Sequence, residues 1–285
     1  MSGADCFAVA NYAEAGRLAL RSDKPVIILG APENAAVPRG AVPTVSGAEE
    51  IELLRTNGWR GKVHIKVDSG MHRLGCRPET VGLIADRAAA AGMTVDGVFT
   101  HFHCADDVGI TSAQFARFDD ATRGLGLKRH CCASNALFLP EKWRLDMIRP
   151  GLALYGYGAD GLIPAMKVSS RIVSLKFVRK GEYIGYGSFR ADKDMLAAVV
   201  SGGYADGFRR VKGRRFVSVG GRKCPLVGQV CMDMFFVDVT DILCHVGDEV
   251  VLLGDGNRLA ESYGTIVYEV LTGFGCARGR RVYAD

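Results

Sequence analysis

Seven short strand-like runs, spaced by helix-patterned or loop segments, fill the chain up to residue 156 and limit what it can become. They are "CFAVA" (6–10), "PVIILG" (25–30), "AVPTV" (41–45), "VHIKVD" (63–68), "VDGVFTH" (95–101), "RHCCAS" (129–134) and "MIRPGLALYG" (147–156). "SGAEEIELLR" opens with Ser46 and Glu49 in capping-box spacing. "PETVGLIADRAAAAG" puts Pro78 in a first turn and stops at Gly92. "TSAQFARFDDATRG" sets Thr111 and Gln114 in the same capping relation. Buried strands alternating with helices of this length predict βαβ units and a parallel sheet. No G-x-G-x-x-G follows the first strand, which disfavours an open dinucleotide-binding sheet. A closed barrel needs eight strands. The expectation is an α/β fold, a (β/α)8 TIM-type barrel over residues 1–162 whose first strand–helix unit is missing.

Past residue 162 the period changes. "RIVSLKFV" (171–178) alternates with period 2, and "FVSVGGRKCPLV" (216–227) reads as a hairpin turning at Gly220 and Gly221. "DEVVLLGDG" (248–256) is a further strand, and "AESYGTIVYEVLTG" (260–273) alone has a helical pattern. Residues 163–285 are therefore expected to form a C-terminal, mainly-β domain.

Composition excludes several classes. No apolar run reaches the length of a membrane span, and the N-terminal residues lack the basic start and apolar core of a secretory signal. The nine cysteines are odd in number and form no C-x-x-C pair, against a disulfide framework or zinc ribbon. Reduced thiols and a cytoplasmic location are expected. The net charge of +5 is spread out, and the basic "RGRRVY" has no interleaved aromatics to suggest nucleic-acid binding.

In such a barrel, the C-terminal strand ends build the active site. Four consecutive ends carry polar residues: "KVDSGMHR" with Lys66, Asp68 and Arg73, "THFHCADD", "CCASN" with Ser134, and "RPGLALYG" with Arg149. Gly151 suits close approach of backbone to an anion, and Ser134 could donate to the same phosphate. Either could equally shape a turn. His101 and His103 are two apart and point the same way on a strand, so a divalent metal with Lys66 or His130 as co-ligand is a rival reading. Poorly placed acidic residues weigh against it. In the β domain, "GEYIGYGSF" and "SGGYADGF" each set a tyrosine between small residues, leaving its hydroxyl accessible. "GQVCMDMFFVD" reads as one alternating strand, with Cys231 and Asp233 on a shared face.

Taken together, "HIKVDSGMHRLG", "THFHCADD", "IRPGLALYG", "GEYIGYG", "GGYADGF", "CPLVGQVCMDMFFVDVT" and "GTIVYEVLT" resemble the alanine racemase family in the family's order, over nearly the whole chain. The resemblance implies a pyridoxal 5'-phosphate enzyme that interconverts L- and D-alanine, supplies D-alanine for the cell wall, and works as a homodimer with a shared active site. It implies that Arg149 bonds the pyridine nitrogen, that His101 links Arg149 to a tyrosine, and that Ser134 with the backbone of Gly151 and Leu152 holds the phosphate. Arg73 would reach the cofactor's phenolic oxygen and the substrate. Lys66 matches a lysine often carbamylated in the family, which positions Arg73. Tyr186 matches the catalytic tyrosine, Tyr204 narrows the substrate entrance, and Met232 with Asp233 borders the substrate carboxylate. No metal is implied.

Three departures accompany the match. The family's cofactor-attaching lysine lies in a first-strand motif that would precede Met1, so a truncated chain, inactive alone, is expected. Cys276 falls where a phosphate-binding tyrosine is frequent, and Ala133 where an asparagine is common. The alternatives are a non-catalytic racemase remnant and a racemase for a related amino acid such as serine.

Overall fold

The structure, a computed structural model, describes residues 3–213 and 215–275. They divide into two compact units: residues up to Leu154 with Gly158–Gly161, and Tyr155–Tyr157 with the residues from Leu162 on.

The first unit is a run of parallel strands in chain order. β1 (Phe7–Val9), β2 (Val26–Ile28) and β3 (Ala41–Val42) form one stretch; β4 (Thr44–Val45), β5 (Lys62–Lys66), β6 (Thr94–Phe99), β7 (Lys128–Ala133) and β8 (Met147–Arg149) form the next. Pro43 separates β3 from β4. It has no N–H to give the ladder, so the strand expected over 41–45 is divided, its two halves pairing with β2 and β5. With β3 and β4 counted as one, the seven expected strands are present. The last is shorter than its sequence pattern: Pro150 ends β8, and Leu152–Tyr155 is a 3-10 turn.

Helices α1 (Tyr12–Ala19), α2 (Ala48–Thr56), α3 (Val81–Ala90) and α4 (Val108–Thr122) lie between the strands. Two caps differ from expectation. α2 starts one residue late, at an N-cap of Gly47, so Glu50 rather than Glu49 reaches back to the Ser46 N–H and hydroxyl. α4 is capped by Asp107, whose carboxylate accepts the Ile110 N–H at 2.9 Å. Thr111 and Gln114 therefore fall inside the helix. They hold the preceding loop, through the Cys104 carbonyl at 2.7 Å and the His103 N–H at 3.0 Å.

The two faces of this sheet differ in chemistry. Val63, Ile65 and Val98 join Ile51, Leu54, Val81, Ile84 and Phe118 in one apolar core, so this face is the one the helices cover. Alternation sends His64, Lys66, Gly97, Phe99 and His130 to the other face. The register sets them side by side: His64 opposite Gly97, Lys66 opposite Phe99, and Phe99 opposite His130. Barrel interiors are mostly filled by Val, Ile and Leu; here the inner face is polar and fully buried at His64 and His130.

The second unit contains a closed antiparallel barrel. Its strands are β9 (Val168–Val178), β10 (Met195–Ser201), β11 (Phe216–Val219), β12 (Arg222–Val227), β13 (Met234–Asp238) and β14 (Glu249–Leu253), ordered β10-β13-β12-β11-β14-β9. The β11–β12 hairpin turns at Gly220 and Gly221 with φ of 55° and 78°, a left-handed pair that glycine adopts without strain. β13 begins only at Met234, so Cys231 and Asp233 precede the strand and do not share a strand face. The single helix expected over 260–273 is two, α5 (Gly256–Tyr263) and α6 (Val267–Gly275), parted by Gly264 at φ 65°. Among the described residues no helix is long and apolar enough to cross a membrane. Cys276 and "RGRRVY" lie outside them.

Candidate active site

Two strand ends of the first unit meet at Ser134, just past β7. Its hydroxyl oxygen accepts the N–H groups of Gly151 at 2.9 Å and Ala153 at 3.1 Å, in the turn after β8. Backbone amides converging on one oxygen make an anion seat. The amides that converge on the hydroxyl are those of Gly151 and Ala153, and Leu152 between them is buried. A Cβ on Gly151 would meet nothing within 4 Å, so its backbone faces open space.

Arg149, at the end of β8, is held from three sides. Nη2 donates to the carbonyls of Thr100 at 2.8 Å and Cys131 at 3.1 Å, and Nη1 donates to His130 Nδ1 at 2.6 Å. Among the described residues, three of its five N–H groups are taken in this way. Besides the His101 that the family pattern links to Arg149, a second imidazole, His130, is bonded to that arginine. His101 stands close enough to feel Arg149, Arg73 and Lys66; burial first, then these cations, push its pKa down to about 4. Phe99 floors the cluster. His130 stacks on it at 4.9 Å, with the Arg149 guanidinium 5.3 Å and the Lys66 ammonium 5.6 Å from its centroid.

Lys66 is buried, and desolvation lowers its pKa, helped by Arg73 and Arg149. Beyond it the chain folds around Asp68, whose Oδ1 accepts the N–H groups of Gly70, Met71 and His72, each at 3.0 Å. His72 is left-handed at φ 54°, and the exposed Arg73 follows it. A second anchor comes from α4, where Arg117 donates to the Ser69 carbonyl at 2.9 Å.

The rival metal reading loses its ligands. His103 Nδ1 is 2.9 Å from Gln114 Oε1, and His130 is occupied by Arg149 and His64. Among the described residues no group of three or more His, Cys, Asp or Glu is gathered for a metal.

In the second unit, Gly203 lets one loop lie directly on another. The Tyr204 N–H donates to the Cys231 carbonyl, the Ala205 N–H to that of Met232 and the Gly202 N–H to that of Asp233, at 3.1, 3.2 and 2.7 Å. Tyr204, Met232 and Asp233 are thereby brought together. Tyr186 stands apart on a loop bracketed by Gly185 and Gly187, with 65% of its surface exposed.

Sequence reasoning had not singled out Phe99, His64 or Asp96, and had taken His130 only as a possible metal ligand. The available signal was a histidine or lysine at every second position of "KVHIK", a strand buried on both faces.

Comparison with known proteins places this geometry. Residues 1–159 match the family model "Alanine racemase, N-terminal domain", and residues 165–283 match "Alanine racemase, C-terminal domain". The alanine racemase of Thermodesulfovibrio yellowstonii is 38% identical over 91% of this chain and 76% of its own length. That of Deinococcus radiodurans is 38% identical over 96% and 83%. Among solved structures, the biosynthetic alanine racemase of Pseudomonas aeruginosa superposes with a TM-score of 0.87 at 33% identity, over 99% of this chain and 86% of that one. The alanine racemase of Bartonella henselae, solved with covalently bound pyridoxal phosphate, gives 0.87 at 27% identity over the same shares. An α/β unit followed by a β domain with this match defines a racemase, an isomerase of a pyridoxal-phosphate-dependent class. The chain belongs to the alanine racemase family.

Proposed function

We propose that this protein interconverts L- and D-alanine with pyridoxal 5'-phosphate as cofactor, in the cytoplasm, supplying D-alanine for peptidoglycan. The observation that carries the reading is the pairing of an anion seat at Ser134 with a cation at Arg149, on adjacent strand ends. A phosphate and a pyridine nitrogen need these two partners.

The residues fit the cofactor. The Ser134 hydroxyl with the main chain of Gly151, Leu152 and Ala153 would hold the phosphate, and the N–H groups of Arg149 not given to His130, Thr100 and Cys131 would face the ring nitrogen. When bound, the cofactor supplies an electron sink that makes the Cα proton of an attached amino acid acidic. Arg149 donates without giving up its proton, because a guanidinium stays charged. Arg73 would extend the cationic lining toward the phenolic oxygen and the substrate, with His101 beside the ring as a neutral imidazole. Lys66 is a neutral-prone amine among cations; carbamylation would turn it into an anion that fixes Arg73.

The family pattern supports the rest. Tyr186 moves the proton on one face of Cα, Tyr204 narrows the entrance, and the backbone of Met232 with nearby Asp233 borders the substrate carboxylate. The exposure of Tyr186 suits a homodimer in which one protomer offers this hydroxyl to the barrel of its partner. The test is deuterium uptake at Cα of each alanine enantiomer, in the full natural protein and its Tyr186→Phe variant. Removing a general acid–base group should slow exchange from one enantiomer at least about a hundredfold. Undiminished turnover in both directions overturns the proposal.

A further inference from the structure

Behind Arg149 the structure carries a second line of polar contacts that the proposed reaction does not use. Nη1 of Arg149 donates to His130 Nδ1 at 2.6 Å, and His130 Nε2 lies 3.0 Å from His64 Nδ1. His64 Nε2 faces Asp96 Oδ2 at 3.8 Å. Asp96 is held in turn by Lys62 at 2.7 Å and Lys128 at 3.4 Å. Lys62 and Lys128 begin β5 and β7 and Asp96 lies in the first half of β6, whereas Arg149 ends β8. The line therefore runs along the inner face of the parallel sheet from its C-terminal to its N-terminal edge.

Its direction is determined from both ends. A guanidinium can only donate, so His130 Nδ1 must be the acceptor and its proton must sit on Nε2. That proton points at His64 Nδ1, which must then accept, leaving the His64 proton on Nε2 toward the carboxylate. The reverse order would place two donors face to face at Arg149. Both imidazoles stay neutral: burial pushes His64 down to about 4, against the pull of Asp96, and burial with Arg149 pushes His130 down to about 2. The contact of His64 with Asp96 is thus an N–H biased by a negative charge, not an ion pair. The chain has made room for it. A Cβ on Gly97 would lie 2.6 Å from His64 Cε1, so only glycine admits the ring. Phe99 clamps the other imidazole by stacking.

We propose that His64 and His130 form a one-way hydrogen-bonded relay, its sense biased by the charge of the nearby Asp96 carboxylate, that positions the Arg149 guanidinium, making Asp96 and His64 positioning residues for the cofactor-facing arginine. Its functional sense rests on the reading of Arg149 given above; the relay itself does not.

The experiment uses the cofactor-free protein, labelled with 15N in histidine and arginine. Long-range 15N–1H correlation reads the tautomers of His64 and His130, and exchange spectroscopy reads rotation about the Arg149 Cζ–Nη bonds. Both histidines should carry the proton on Nε2. Asp96→Ala should convert His64 to a tautomer mixture and speed the Arg149 rotation about fivefold, the rate equivalent of one hydrogen bond weakened. Asp96→Asn keeps the side-chain shape but removes the charge, and should shift the His64 tautomers in the same direction as Asp96→Ala. An Nδ1–H form of either histidine in the unaltered protein overturns the proposal, even where a variant does not fold. So does an Arg149 rotation indifferent to Asp96→Ala. Either failure leaves the racemase reading standing, since that reading is tested by turnover.

Discussion

Gly97 and His64 face each other across the β5–β6 ladder, and the missing side chain of one is the space occupied by the ring of the other. Gly97→Ala would also press on the Lys128 carbonyl at 3.0 Å, a backbone atom that cannot swing away. Overpacking of this kind costs about 1–3 kcal/mol. A lowered urea midpoint with an unchanged slope should show it.

Arg149→Lys should damage both the sheet and the cofactor site. An ammonium cannot reach His130 Nδ1 and two carbonyls from one planar group. A buried acceptor left unpaired costs about 1–3 kcal/mol. Fluorescence titration with pyridoxal phosphate should show affinity reduced about tenfold or more, since one charge-assisted bond contributes roughly 1.5–3 kcal/mol.

Ser134→Ala removes the acceptor for the Gly151 and Ala153 amides. Binding of pyridoxal phosphate should weaken about tenfold, the equivalent of roughly 1.4 kcal/mol for a lost phosphate contact. Pyridoxal lacking the phosphate should bind the variant and the parent equally well.

Stability should fall on mild acidification. His64 and His101 have folded-state values of about 4, well below the unfolded value near 6.5. Between these limits the unfolded chain binds more protons than the folded one, so unfolding free energy drops as pH falls from about 6.5 to 4. His64 alone accounts for at most about 3 kcal/mol of that loss. Urea titrations at pH 7.5, 6 and 5 would measure it, and His64→Gln should flatten the trend.

Asp68→Ala should free the loop that presents Arg73. Burial raises the Asp68 pKa, but the His72, Gly70 and Met71 N–H groups outweigh it and hold the carboxylate below its ordinary value. With the three amides released, limited proteolysis should cut between Ser69 and Gly75 in the variant and not in the parent.

The strand–helix alternation and its seven strands were legible in the residues, because period and turn chemistry are local. So was the cluster at the strand ends, read from Lys66, Arg73, His101, Ser134 and Arg149 together. What escaped was pairwise and non-local. That His130 also partners Arg149 depends on how β7 and β8 lie beside each other, with a register shift between His130 and Ala133. No spacing within one segment encodes that. The caps of α2 and α4 failed for a simpler reason: several Ser, Thr, Asp and Glu residues stood within one turn of the start, and tertiary contacts chose among them. The division of one strand at Pro43 follows from a missing N–H that the apolar pattern of 41–45 conceals.

The shelf after β8 carries a last consequence. Its two amides are already aimed at one oxygen before any guest arrives, so docking a phosphoryl group demands a swap of acceptors and little rearrangement of main chain. Entry to such a berth should be quick and governed by encounter, with the time spent there set by how firmly the neighbouring guanidinium grips.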